Sequence, residues 1–224
     1  MLILGVDTSG KNGSIALVEC GRQECQVVEV VALLGGTFSA QLIPQISELL
    51  RNHGFTKDQI GGFAIVSGPG SFTGLRVGLA AIKALAEILG KPVAAVSFLG
   101  ALAARSGAQG RVIAGLDAGR GEIYAAEYDL SRDQLDLAWQ ELLTREEFVA
   151  RSANSAVVTS DDSLAGLSSE LKAIHIPPSR ADVIAMLGYK NMLRGEIVSP
   201  DALDANYIRR SDAEIKNAAG SFRP

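Results

Sequence analysis

Ile3-Leu-Gly-Val-Asp7 and Ile113-Ala-Gly-Leu-Asp117 are the two stretches on which the fold turns, and Asp117 follows Asp7 by 110 residues. Each is an apolar run ending in an aspartate beside turn residues, the pattern of a buried strand. Outward from the first copy, the sequence predicts strands over 14–19 and 26–33, a helix over 39–53 ended by Gly54, a strand over 63–67, a helix over 71–89 and a strand over 93–96. From the second copy the order restarts. Strands are expected over 111–117, 122–128 and 135–141, then a helix opened by the capping box Thr144-Arg-Glu-Glu147. A strand over 156–159 and helices over 161–172 and 179–194 complete the reading. A repeated pentapeptide alone could be chance, but one that coincides with a repeated element order indicates duplication. The expected fold is therefore α/β with two lobes, 1–108 and 109–224. Each is a mixed sheet with flanking helices, and a C-terminal tail packs back on the first lobe.

Bulk properties narrow the function. The 224 residues are 47% hydrophobic and 21% charged, as in ordinary folded domains. A net charge of −4 gives the whole molecule no attraction for nucleic acid. Arg209, Arg210, Lys216 and Arg223 form a weak basic cluster, read as a solvated tail. The N-terminal apolar run reaches Asp7 too soon for a secretion signal, and no run approaches the length of a membrane span. Cys20 and Cys25 lack metal-site spacing and are expected as buried or edge thiols, in keeping with a reducing cytoplasm.

Few residues carry chemistry. Asp7-Thr8-Ser9 and Asp117-Ala-Gly119 place carboxylates at strand ends, where two turns of a duplicated protein can face each other across a cleft. Such turns hold phosphate and Mg²⁺ in some proteins and simply cap themselves in others. Gly68-Pro-Gly-Ser-Phe-Thr-Gly74 lacks the ending of a nucleotide-binding P-loop and reads better as a tight strand-to-helix connection, with Pro69 and Gly70 in a type II turn. Neither His53 nor His175 has a partner at triad or zinc spacing, so no catalytic residue and no metal site are expected.

Helix 71–89 is apolar around two thirds of its circumference. One stripe holds Phe72, Leu75, Leu79, Ile82 and Leu89; the other holds Gly74, Val77, Gly78, Ala81, Leu85 and Ile88. Periodicity leaves open which of them faces outward. The expected subunit contact combines Gly74, Val77, Gly78, Ala81 and Leu85 with Leu42, Ile46, Leu49 and Leu50 of helix 39–53. Two such helix pairs would form a four-helix contact about a two-fold axis.

Together these motifs resemble the TsaB family, also called YeaZ. The resemblance rests on Gly5-Val-Asp-Thr-Ser9, Gly68-Pro-Gly-Ser-Phe-Thr-Gly-Leu-Arg-Val-Gly78, Asp117-Ala-Gly-Arg-Gly-Glu-Ile-Tyr124 and Asn206-Tyr-Ile-Arg209. Ala205 stands where the family usually has proline, and Phe38 where it often has a polar residue or histidine. The resemblance implies the duplicated actin-like, ribonuclease H-like (ASKHA) fold. It also implies a non-catalytic role beside TsaD and TsaE in forming threonylcarbamoyladenosine at position 37 of tRNAs that read codons beginning with A. The partners implied are TsaD, TsaE, a second copy when the chain is alone, and tRNA only through the complex. No membrane and no cofactor are implied. In the TsaD paralogue a His-x-x-x-His pair binds metal; the matching positions here are Phe98 and Leu102, which cannot ligate one. The alternative is a small kinase or ATPase binding ATP or ADP through Asp7, Thr8, Ser9, Asp117 and Gly119. A metalloprotease is a third reading, opposed by Phe98 and Leu102.

Overall fold

β1 (Leu2–Asp7) is buried along its whole length, so it needs a neighbour on each edge and a cover on each face. It pairs antiparallel with β2 (Gly13–Cys20) and in parallel with β4 (Ile60–Gly68). β3 (Cys25–Leu33) joins β2 antiparallel, and β5 (Val93–Ser97) joins β4 in parallel, giving the order β3-β2-β1-β4-β5. The second sheet repeats this plan. β6 (Gly110–Gly119) lies at its centre, with β7 (Glu122–Leu130) and β8 (Leu135–Thr144) antiparallel on one side. β9 (Ala156–Thr159) and β10 (Ala173–His175) are parallel on the other. Outward from the centre, both sheets have the same order and directions. The expected duplication is present, with Asp7 and Asp117 on equivalent strands.

The structure is a computed structural model that describes residues 1–22, 24–131, 134–166, 171, 173–178 and 180–206. The basic cluster at Arg209, Arg210, Lys216 and Arg223 and the end of the Asn206–Arg209 motif lie outside the described residues. Among the described residues, no helix is long and apolar enough to cross a membrane.

Two layers of helix cover the first sheet. α1 (Phe38–Asn52) continues through Pro44 and is followed by left-handed Gly54. α2 (Phe72–Leu89) opens at Ser71, whose Oγ accepts a hydrogen bond from Gly74 N, and closes at left-handed Gly90. Successive strand residues point to opposite faces; on β4, Ile65 lies against α2 while Ala64 lies against α6 (Ala181–Leu193). α6 packs across β1, β2, β4 and β5, although it follows the whole second sheet in sequence. Ser14 Oγ accepts a 2.9 Å bond from Ala181 N, and Tyr189 Oη donates to the Gly21 carbonyl at 3.1 Å. Val198 then bridges to Val93, and Asn206 N donates to Ser67 O. The helix expected over 179–194 thus serves the first lobe.

The structure adds α3 (Phe98–Arg105), which the sequence reading passes over. Phe98, Leu99, Ala101, Leu102 and Ala103 are all buried, and the helix packs against β4 and β5 on one side and β6 and β7 on the other. The main core therefore runs through both lobes, joining Val112, Ala114, Ala126 and Tyr128 to the first sheet. A smaller cluster forms around Phe148 of α4 (Arg145–Ser152), which opens with the expected Thr144–Glu147 capping box. The helix expected over 161–172 is, among the described residues, only α5 (Asp162–Ala165), and β10 follows it.

Cys20 and Cys25 are corrected. They are joined in a disulfide, because the β2–β3 register sets them directly opposite each other across the turn.

Candidate functional site

The turns after β1 and within the β6–β7 hairpin do share a cleft. Ser9, Gly10 and Lys11 line one wall of a recess of about 420 Å³, and Asp117, Gly119 and Tyr124 line the other. An adjoining recess of about 640 Å³ takes in Asp7, Phe98, Asp161 and Arg180. Within them, both aspartates serve their own turns. Asp7 Oδ1 accepts bonds from Ser9 N at 2.8 Å and Ser9 Oγ at 2.6 Å. Burial pushes the Asp7 carboxyl above its ordinary value, against the opposing pull of the two Ser9 bonds. Asp117 Oδ1 accepts from Gly119 N at 2.9 Å, and Asp117 N donates to Asp161 Oδ2 at 3.1 Å. Asp161 and Arg180 come into the cleft from distant sequence, and no local spacing signals them.

The candidate anion loop is occupied by the protein itself. Thr8 Oγ1 donates to the Gly74 carbonyl at 2.8 Å, and Ser71 N donates to the Ser9 carbonyl at 2.6 Å. Gly70 has no positive φ, so the expected type II turn does not form. A Cβ on Gly70 would instead meet the Ser9 carbonyl oxygen at 2.5 Å. The Gly68–Gly74 stretch is thus a close seam between α2 and the β1 turn, and phosphate at this helix end would compete with bonds already made. Each aspartate commits one carboxylate oxygen to its own turn. Among the described residues, no cluster of three or more His, Cys, Asp or Glu could hold a metal. Leu102 is fully buried, and the Phe98 ring lies at the wall of the larger recess.

The expected contact surface is largely inside the chain, and this corrects the sequence reading. Leu42, Ile46, Leu49 and Leu50 of α1 are buried in the first lobe's core. Gly74 and Gly78 face the sheet: a Cβ would meet the Thr8 carbonyl oxygen at 2.1 Å from Gly74, and Thr8 Oγ1 at 2.3 Å from Gly78. Glycine sits there because α2 runs so close to β1. Val77, Ala81 and Leu85 are half-buried along the edge of that core. The outward face is another row, Phe72, Arg76, Ala80, Ala84 and Ile88, spaced by four and exposed throughout. Phe72 is 43% and Ile88 76% exposed, with Ile43 of α1 at 46%. The regular spacing was visible in the sequence, but the larger apolar residues of the other rows obscured it.

Comparison with known proteins bears on this arrangement. The profile of the family described as TsaD, tRNA N6-adenosine threonylcarbamoyltransferase, matches residues 34–191. The tRNA threonylcarbamoyladenosine biosynthesis protein TsaB of Bacillus subtilis is 33% identical over 141 residues, which cover 61% of this chain and 58% of that protein. TsaB of Escherichia coli K12 is 33% identical over 131 residues, 57% of this chain and 55% of that one. The matched region thus spans little more than half the length of either relative. The solved structure of YeaZ from Pseudomonas aeruginosa superposes with a TM-score of 0.76 at 25% identity, covering 92% of this chain and 99% of that chain. With its duplicated actin-like architecture and these matches, the chain belongs to the TsaB (YeaZ) family, related to TsaD.

Proposed function

We propose that this chain takes part in making threonylcarbamoyladenosine in tRNA as a non-catalytic partner subunit. In this reading a TsaD-type transferase carries out the transfer to N6 of adenosine 37 in tRNAs reading codons that begin with A, and a TsaE-type ATPase joins the two. The chain binds no cofactor of its own and meets tRNA only through the complex. The names of its relatives support the pathway. The observation that carries the subunit role is the exposed row Phe72, Ala80, Ala84 and Ile88 beside Ile43. Apart from Arg76, whose guanidinium lies 3.7 Å over the Phe72 ring, it is apolar surface on two helices whose inner faces already complete the core. Small residues at its centre let another helix approach closely, and the larger ones at its ends supply the buried area that drives association. A second copy could occupy the row when the transferase is absent, by two-fold symmetry. The net charge of −4 supports leaving the tRNA phosphates to another subunit.

The test uses Ala84→Arg and Ile88→Asp, with the TsaD of the same organism as probe. Both variants are expected to melt like the parent, since exposed substitutions usually change stability by no more than about 0.5 kcal/mol. Both should weaken pairing with TsaD at least tenfold in calorimetry, and reconstituted threonylcarbamoyl transfer should fall in parallel. Folded variants that pair and support transfer normally would overturn the proposal.

A further inference from the structure

We propose that Cys20 and Cys25 form a reversible thiol–disulfide couple, oxidised by a low-molecular-weight disulfide and reduced by excess thiol. The two are cross-strand partners, with their Cα atoms 4.0 Å apart and their sulfurs bonded. The backbone keeps them opposite each other in either state. Backbone bonds independent of the sulfurs hold this end: β2 and β3 pair from Gly13 to Cys20, Gly21 N donates to Glu24 O at 2.9 Å, and Cys20 N donates to Met1 O at 2.9 Å. The Met1 ammonium donates in turn to Cys20 O at 2.7 Å. Reduction therefore leaves the hairpin formed. The bond closes a short ring, with a sequence separation of 5, and so restricts the unfolded chain only modestly. A couple of this kind can cycle without unfolding the protein.

The two sulfurs have distinct roles. Cys20 is 2% exposed, whereas Cys25 is only partly buried on the edge strand, so the reagent meets Cys25 first. The Cys25 thiolate attacks one sulfur of glutathione disulfide; that S–S bond breaks, one glutathione thiolate leaves, and Cys25 carries a mixed disulfide. The Cys20 thiolate then attacks Cys25 Sγ and expels the second glutathione thiolate. Two electrons pass from the cysteine pair to the glutathione disulfide, and the two cysteine protons end on the two glutathione thiols by way of solvent. The turn between the two cysteines is tied to α6, whose Tyr189 hydroxyl donates to the Gly21 carbonyl.

The experiment equilibrates the full chain in buffers of varied reduced and oxidised glutathione ratio, quenches by alkylation, and counts labelled thiols by mass spectrometry. Expected is one reversible two-electron transition under native conditions. The reduced form should melt about 4–8 °C lower and show faster amide exchange around residues 20–25. Cys20→Ser should trap a single glutathione on Cys25, and Cys25→Ser should take up none while folded. If Cys20→Ser fails to fold, the parent titration and Cys25→Ser still decide. Two thiols that stay alkylatable at every ratio, a bond that excess thiol reduces only after denaturation, or unfolding on reduction would each overturn the proposal.

Discussion

Gly74→Ala puts the packing of α2 on β1 to a direct test. The added methyl would lie 2.1 Å from the Thr8 carbonyl oxygen, about 0.9 Å inside the shortest approach that real Cβ atoms make. That oxygen belongs to Thr8, buried in the turn just after β1, and is backbone that cannot turn aside, so the helix must lift. Overpacking of this kind costs about 1–3 kcal/mol. Lifting also strains the 2.8 Å bond from Thr8 Oγ1 to Gly74 O, worth about 1 kcal/mol. Replacing a helical glycine by alanine returns up to about 1 kcal/mol. The net expectation is a loss of about 1–3 kcal/mol, or about 2–12 °C in melting temperature for a chain of this size. Urea and thermal unfolding measure it, with exposed Ala80→Gln as the control that should stay within about 0.5 kcal/mol. A Gly74→Ala variant as stable as the parent but unable to associate would refute the reasoning, because the glycine row would then face a partner.

Two further expectations concern the cleft and α6. Burial raises the Asp7 carboxyl, so the folded chain holds this proton to higher pH than the unfolded chain does. That stabilisation is complete below the ordinary value of 3.8 and is lost as pH rises through the folded pKa. Asp7→Asn keeps an Oδ1 acceptor for Ser9 and should flatten this part of the profile and gain relative stability toward neutrality; melting curves from pH 4 to 8 that run parallel for both proteins would contradict it. Ser14→Ala removes the buried acceptor of Ala181 N and should cost about 1–3 kcal/mol in urea unfolding, with faster amide exchange at the start of α6. An unchanged midpoint would show that the contact carries no weight.

The sheets were legible because both central strands are apolar pentapeptides bounded by turns, and because the second copy confirms the first. α3 was not, since Phe98–Ala103 is apolar throughout and buried on all sides, leaving no polar face from which to read a helical period. The two apolar rows of α2 were visible, but their facing depends on how closely Thr8 approaches Gly74 and Gly78, a contact between segments 66 residues apart in the case of Gly74. The cysteine pairing depends on a strand register, which spacing alone does not supply. In the cleft, Asp7 and Asp117 were found by their place after buried strands, while the engagement of each by its own turn appears only in three dimensions.

The path of α6 carries a consequence for synthesis on the ribosome. The first sheet is complete in sequence once Ser97 is made, yet the cover for one of its faces ends at Leu193, 96 residues later. At translation rates of about 5–20 residues per second, the nascent chain spends roughly 5–20 s with that face of β1 and β4 lacking its own helix. During this interval the half-made protein presents to its surroundings an apolar surface that the finished one hides. Chaperones that hold exposed sheet faces would therefore meet this chain as it emerges and lose their hold on it when α6 arrives.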